Sequence, residues 1–426
     1  MLEINKIRDN RAELVISLKK RGWSEDKMDI IRQLIDSDDE RKKLQTGNDA
    51  LLARRNSLSR EIGQLFKDGK AEEANKAKKE VESLKLSIQE GELQLQNCKR
   101  KIEEILLVLP NIAHSSVPDG QDDSDNEIVK DWTEEMPALH SNALPHWEIG
   151  KKYNVLDFEL GVKLTGAGFP VYINKGARLE RALINFFLDE GRKEGYTEII
   201  PPLMVNADTA RATGQLPDKE GQMYHMEKDE LYMIPTAEVP LTNIYRDVIV
   251  KSEEFPIKLT GYTPCFRREA GSYGADVKGL NRVHQFDKIE IVQVQHPDKS
   301  YETLDQMVRY VEGLLQKLEL PYRILRLCGG DLGFTSALTY DFEVFSAAQK
   351  RWLEVSSVSN FETFQSNRLK LRFKNDSGKT QLAHTLNGSA LALARVVAAL
   401  LENNQTEEGV VIPEVLRSYT GFDILN

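Results

Sequence analysis

The stretch PCFRREAGSYGADVKGLNRVHQFDKIEIVQVQ, Pro264 to Gln295, runs two adjacent arginines and a glutamate into a Gly-rich charged loop and out again into an apolar-alternating segment. Two neighbouring guanidiniums repel, so the chain must separate them or use them. On an extended chain side chains at i and i+2 share a face, which sets Arg267 with Glu269 and Phe266 with Arg268. The return segment DKIEIVQVQ reads as a second strand, and the way back carries Arg282, Phe286 and Glu290. Strand, flexible basic loop and strand make a cradle for a polyphosphate or an RNA end. A same-face ion pair, common on any sheet, is the ordinary alternative.

The surrounding sequence extends this unit into an α+β domain. RWLEVSSVSNFETF is another strand candidate, a helical stretch from Lys175 to Lys193 leads into GYTEIIPP, and helices are expected at 298–318 and 388–403. Neither GxGxxG nor GxxxxGK[ST] occurs, so the expectation is an antiparallel sheet without a standard phosphate loop. Three further segments carry polar groups in suggestive places. IPTAEVPL sets Thr236 and Glu238 on one strand face. LEVSSVSN puts Glu354 three residues before Ser357, a carboxylate and a hydroxyl able to share a hard cation such as magnesium. HTLNGSALALAR passes through Asn387, Gly388 and Ser389 into an Ala/Leu-rich helix bearing Arg395. Singly, each has a bland reading: a strand-end polar pair, a Ser-rich turn, a helix cap at Ser389, a surface arginine.

The N-terminal part has a different texture. Positions 74, 77, 81, 84, 88, 91, 95, 98, 102, 105 and 109 alternate steps of three and four, an a/d seam weakened only at Gly91. Ile30, Leu34, Leu44, Leu51, Leu58, Ile62 and Leu65 fall on a second such grid, with Ser37, Arg41, Asn48 and Arg55 at intervening positions. The Asp-Gly turn KDGK at 67–70 separates the two, which predicts an antiparallel helical hairpin over about 27–108, each arm roughly 60 Å long. Between 41 and 104, 15 Lys and Arg face 11 Asp and Glu, against a net charge of -10 for the whole chain. A solvated coiled-coil surface and a basic arm along a nucleic-acid backbone both fit that excess. Pro110, Pro118, Pro137 and Pro145 and the acidic run DGQDDSD mark a boundary zone, which divides the chain into an N-terminal domain at 1–110, a linker and start of the second domain at 111–150, and that domain at 151–426.

Composition excludes several classes. The chain of 426 residues has no run of 18 apolar residues, so no membrane partner is expected. The charged start MLEINKIRDNRAELV lacks the pattern of a secretory leader. Cys98, Cys265 and Cys328 show no CxxC spacing, which points to reduced thiols in the cytoplasm rather than a cysteine zinc site. The acidic balance argues against a uniformly basic DNA binder.

Taken together and in this order, the motifs resemble those of the class II aminoacyl-tRNA synthetases, and among them the seryl-tRNA synthetases, over nearly the full length. GYTEIIPP, ending at Pro202, resembles the motif that builds the family's dimer interface. FRRE with its loop and RVHQFDKIE resembles the second class II motif, and NGSALALAR the third. TAE, EVSS, HTLNGS and the long N-terminal hairpin are more specific to the seryl enzymes.

The resemblance implies an antiparallel-sheet catalytic domain with a coiled-coil arm that embraces tRNA(Ser), and activation of L-serine with ATP and magnesium in a homodimer. Charging of tRNA(Sec) would depend on the organism. Arg267 and Arg395 are then the catalytic residues, Arg267 on the α-phosphate and the substrate carboxylate. Thr236, Ala237, Glu238, Arg267, Glu290 and Ser389 are implied to surround serine. The nucleotide would meet Arg267, Arg268, Glu269, Arg282, Phe286, Glu354, Val355, Ser356, Ser357 and Arg395, with Phe286 stacked on adenine and Arg268 at the variable position of the FRxE pattern. Glu354 and Ser357 are the implied metal ligands. Ala390 and Ala394 depart from the family's frequent glycines, Asn367 from a common arginine, and Tyr273 from a usually small loop residue. A catalytically silent RNA-binding paralogue is the alternative, and it would be expected to have lost Arg267 or Arg395.

Overall fold

The computed structural model describes residues 1–218, 220–270 and 278–426. The chain divides into two compact units, one of Leu2–Val15 and Trp23–Pro110, the other of Met1, Ile16–Gly22 and Asn111–Asn426.

The first unit is dominated by helices α1 (Asp29–Lys67) and α2 (Ala71–Val108). Gly69, at φ +78°, makes the turn between them, a conformation that suits glycine because it has no Cβ. Ala74, Ala77, Ile88, Leu95, Cys98, Ile102 and Ile105 of α2 are buried, as are Ile31, Leu34 and Leu58 of α1. The expected seam therefore forms along α2, while on α1 Leu34 and Leu58 are buried as expected and Ile31 is buried in place of Ile30. Two polar grid positions, Ser37 and Asn48, are buried with it. A Cβ on Gly91 would stand 2.0 Å from Asn48 Oδ1, so the gap in the heptad pattern is room for a buried amide. Cys98 Sγ donates to the Ser37 carbonyl at 3.0 Å.

Asp38 is the other buried polar residue of α1. It meets Arg8 (2.9 Å), Arg41 (2.7 Å) and Lys42 (3.1 Å). Burial opposes ionisation of this carboxyl, but hydrogen bonds from Arg41, Lys42 and Arg8 outweigh it and hold its pKa below the usual value.

The second unit is built on an eight-stranded sheet of β1 (Glu127–Lys130), β2 (Thr197–Glu198), β3 (Ile257–Phe266), β4 (Gln285–Gln295), β5 (Tyr322–Arg326), β6 (Leu338–Ser346), β7 (Arg351–Asn360) and β8 (His384–Ala392). Its order is β1-β5-β6-β7-β8-β4-β3-β2, antiparallel except for the β2–β3 pair. The α+β class read from the sequence is correct. Helices α3 (Asn174–Lys193), α4 (Ser300–Lys317) and α5 (Leu393–Asn403) join the sheet in one core that includes Ile289 and Ile291 of β4. Alternation along β4 then turns Phe286 and Lys288 to the opposite, open face.

One boundary differs from expectation. Residues 388–392 are strand and α5 begins only at Leu393, so Ser389 caps no helix. The Ala/Leu-rich composition favours helix, but the ladder with β4, which runs to Ala392, overrides it, while the ladder with β7 stops at Gly388. Glu290 faces Ser389 across β4–β8, and Val358 faces Gly388 across β7–β8.

Replacing Asp38 with Ala should cost the helical unit about 2 kcal/mol, less than the ~3–5 of a fully buried pair because its cationic partners keep access to water. A carboxyl whose pKa is lowered by folding contributes fully above its unfolded value. This contribution should therefore be intact at neutral pH and disappear as pH falls below about 4. Hydrogen exchange along α1, compared between wild type and D38A at pH 7 and pH 3, checks both statements.

Candidate active site

A cleft of about 1070 Å³ opens on the sheet face away from the helices, lined by residues of β4, β6, β7, β8 and the start of α5. Ligand pockets usually measure roughly 300–1,000 Å³, so this one has room for two joined ligands.

At one end, Thr236 and Glu238 sit in a turn, not on a strand as expected. The preceding strand ends at Met233, and Glu238 opens a short helix, Glu238–Asn243. Pro240 lies in the first turn of that helix, where its missing N–H is tolerated. The two residues still converge, because Thr236 Oγ1 accepts from the Glu238 amide at 3.2 Å and donates to Glu290 Oε2 at 3.1 Å. Lys288 Nζ donates to Thr236 Oγ1 at 2.7 Å and lies 2.5 Å from Glu290 Oε2. Asn387 Nδ2 donates to Glu290 Oε1 at 3.1 Å. Glu290 is fully buried beneath the cleft floor, reached through Thr236, Lys288 and Asn387. Gln365 Nε2 donates to Glu238 Oε1 at 2.6 Å, while its own oxygen accepts from Thr385 Oγ1 at 2.8 Å. Burial, with the neighbouring Glu290 charge, pushes the Glu238 carboxyl up to about 7, and the Gln365 hydrogen bond partly offsets that rise.

The middle of the cleft belongs to Arg267 and Phe286. The Arg267 guanidinium lies 5.4 Å from the Phe286 ring centroid, and its Nε donates to the Pro235 carbonyl at 3.4 Å. The faces assigned to Arg267 and Arg268 are right, but strand alternation is not the full cause. β3 ends at Phe266, and Glu269 turns the chain through a left-handed conformation at φ +49°. Glu269 thereby lines the cleft and pairs with Arg282 at 3.0 Å. Arg268 points outward, exposed and off the cleft wall, although its backbone amide donates to the Gln222 carbonyl at 2.9 Å.

At the far end Arg395 donates from Nε to the Asn281 carbonyl and from Nη1 to the Glu354 carbonyl, both at 2.7 Å. Glu354, Val355, Ser356, Ser357 and Ser389 complete this wall. Ser357 faces Asp341 across β6–β7, and Glu354 faces Glu343. Asp341 Oδ1 is buried with no hydrogen-bond partner. Burial and the Glu354 charge push that carboxyl well above its usual range. These are hard oxygen donors, a set suited to magnesium held chiefly by phosphate oxygens. No group of three or more His, Cys, Asp or Glu among the described residues is arranged to hold a metal by itself.

The structure thus brings together Thr236, Glu238, Arg267, Glu269, Arg282, Phe286, Glu354, Val355, Ser356, Ser357, Ser389 and Arg395. Ala237 is instead packed among Leu241, Leu259 and Val292. Of the departures, Ala394 lines the cleft and Ala390 is in the core, while Asn367 donates to the Met1 carbonyl at 2.8 Å. Tyr273 lies outside the described residues, with the rest of 271–277. Lys288, Asn387, Gln365 and Asp341 were missed. Lys288 and Asn387 had a signal, each lying two residues from a chosen residue on the same strand face. Gln365 had none.

A family model described as Seryl-tRNA synthetase N-terminal domain matches residues 1–113, and the tRNA synthetase class II core domain (G, H, P, S and T) matches residues 222–404. The serine--tRNA ligase of Salinibacter ruber is 48% identical over 424 residues, covering 99% of this chain and 98% of that protein. The serine--tRNA ligase of Chlorobium phaeobacteroides is 47% identical over 433 residues, covering 100% of both. Among solved structures, seryl-tRNA synthetase from Pyrococcus horikoshii complexed with ATP matches with a TM-score of 0.92 at 34% identity, covering 100% of this chain and 99% of that one. A prolyl-tRNA synthetase from Giardia lamblia shares the fold of a smaller part, at a TM-score of 0.56 and 16% identity over 63% of this chain and 54% of that one.

Proposed function

Because the chain belongs to the seryl-tRNA synthetase family, we propose that it activates L-serine with ATP and transfers the seryl group to the 3′ end of tRNA(Ser), with the cleft as the site of activation. The observation that carries this is the convergence of Arg267, Phe286 and Arg395 with the Thr236–Lys288–Glu290 network in one cleft.

The first step needs no enzymic base. The serine carboxylate is ionised at neutral pH and attacks the α-phosphorus in line, releasing pyrophosphate and leaving seryl-adenylate. Catalysis is then alignment and neutralisation of charge on the phosphate oxygens. Arg267 bridges the α-phosphate and the attacking carboxylate, Phe286 stacks on adenine with Glu269 at its edge, and Arg395 serves the leaving phosphates. Arg282, Val355 and Ser356 complete the nucleotide wall. Glu354 and Ser357 would hold a magnesium ion, which when bound adds positive charge against the phosphates. Glu238 and Glu290 offer negative charge to the serine ammonium, and the network around Glu290, with Ser389, offers hydrogen bonds to its hydroxyl. Alanine would leave those buried groups unpaired, a penalty of up to roughly 10⁴-fold.

The arm and the dimer belong to the same proposal. The basic off-seam residues of α2, among them Lys78, Lys79, Lys99 and Arg100, would contact tRNA backbone by shape more than by base. Homodimer formation is supported by Ile200, 88% exposed just beyond the short edge strand β2. A reducing cytoplasm suits three buried, unpaired cysteines, and no described helix is long and apolar enough to cross a membrane.

Pyrophosphate exchange run separately with serine, threonine, alanine and glycine tests the reading. Serine should dominate, and fast exchange with another amino acid would overturn it. In the same assay Arg267→Ser should lose at least about 100-fold, whereas Arg268→Ser, an exposed charge, should change the rate by less than about threefold. The KM for serine should rise about tenfold from pH 8 to pH 6, because a carboxyl whose pKa is raised to about 7 loses its charge as pH falls through that value. Gln365→Leu removes the bond that lowers this pKa and should move the inflection upward.

A further inference from the structure

Behind the cleft lies a buried polar chain, His146, Ser346, Gln349 and Glu402, none of which lines it. His146 is completely buried. Its Nδ1 is 2.7 Å from Glu402 Oε1, its backbone amide donates to the same oxygen at 3.0 Å, and its Nε2 accepts from the Leu280 amide at 2.8 Å. Only one protonation state satisfies all three contacts. Nε2 must carry no proton because it accepts from a backbone N–H, so Nδ1 carries it and donates to an ionised Glu402. The hydrogen bonds from His146 and Ser346 keep that carboxyl below its usual pKa despite its burial.

The chain reaches the nucleotide end of the cleft by two routes. Directly, Leu280 belongs to the return arm of the loop between β3 and β4, where Leu280, Asn281 and Arg282 all line the cleft. Indirectly, Gln349 donates to Glu402 Oε1 at 3.1 Å and to Ser346 Oγ at 2.8 Å, and its own oxygen accepts from Asn281 Nδ2 at 2.8 Å. The Asn281 carbonyl in turn accepts from Arg395 Nε. Arg395 and Glu402 also share helix α5. The fit around His146 is close, since a Cβ on Gly279 would fall 2.1 Å from Nε2.

We infer that His146 and Glu402 are positioning residues for the nucleotide. They clamp the return arm at Leu280 and so fix Asn281, Arg282 and the Arg395 guanidinium where phosphate or adenine must be met. This rests on the cleft being the ATP site. The serine end is held separately, by Thr236, Lys288, Asn387 and Gln365, so the clamp should act on ATP and leave serine recognition alone.

Two variants of the full-length protein test this. His146→Ala deletes the clamp. Glu402→Met keeps its length but offers no strong acceptor to the Nδ1–H or to the His146 amide, so the imidazole loses its anchor against the Leu280 N–H. Calorimetric titration with ATP in the absence of serine should show roughly tenfold weaker binding for a folded variant, while its KM for serine in pyrophosphate exchange stays within about twofold. A purely structural role would instead lower the active fraction and leave the ATP affinity of the remaining sites unchanged. That result in Glu402→Met, with a native circular dichroism spectrum, overturns the proposal. Should wild type bind ATP but exchange with an amino acid other than serine, the assignment of serine fails while the ATP ratio still decides the clamp.

Discussion

The ammonium of Lys288, held between the Thr236 hydroxyl and the Glu290 carboxylate, is the contact on which the rest of the site depends. Removing a carboxylate from water costs several kcal/mol unless charge and hydrogen bonds replace the lost hydration. Glu238 and Glu290 are both buried, burial raises the pKa of each, and the Glu290 charge raises that of Glu238 further. Without the lysine, the two would favour a shared neutral state, with too little negative charge for a substrate ammonium. Lys288 is also 95% covered, since its relative exposure is 5%, so it needs Glu290 as much as Glu290 needs it. The pair can form because β4 carries both residues on one face while β3 and β8 hydrogen-bond on either side.

That requirement explains why the sheet tolerates so many polar groups at its centre. The helix-facing side carries Ile289 and Ile291 in the main core, and its Gln295 donates to Thr303 of α4 at 3.0 Å. The open side is a lattice of partners in which Thr236, Asn387, Gln365 and Thr385 each satisfy a neighbour. Such networks are stabilising only when nearly complete. Completion here draws on segments distant in the chain, from Thr236 to Asn387, so the site exists only once the whole sheet has closed. The Asp341 oxygen without a partner lies in the part of the cleft assigned to phosphate and cation, where a ligand is expected to supply the missing interaction.

Much of this was legible in the sequence because its signals are local. A 3-4 repeat announces a helical seam without knowledge of what else the chain does, and FRRE followed by a Gly-rich loop marks a strand end. What was not legible depends on partners elsewhere. Residues 388–392 look helical in isolation and become strand because β4 offers a ladder as far as Ala392, with β7 joining at Gly388. Thr236 and Glu238 were paired on the wrong geometry, since a turn and an extended strand can each bring i and i+2 together. Glu269 needed a positive φ that no composition rule demands of a glutamate. Gln365 acquires its meaning only when a helix after β7 delivers it to Glu238.

Phe286 and Glu290 stand four residues apart on a single strand. At about 3.3 Å per residue, the ring proposed for adenine and the carboxylate proposed for the amino-acid end are roughly 13 Å apart along a backbone paired with β3 throughout and with β8 from Lys288 onward. The strand acts as a ruler for the activated intermediate, and its graduations are coarse. Residues return to the same face only every second position, so the ruler changes length in steps of about 6.6 Å, more than four carbon–carbon bonds. A slightly longer or shorter amino acid therefore cannot be accommodated by shifting which residue on β4 reads it. Any change of substrate in this architecture has to be made by side-chain volume at fixed positions, while the distance between the two reading points stays constant.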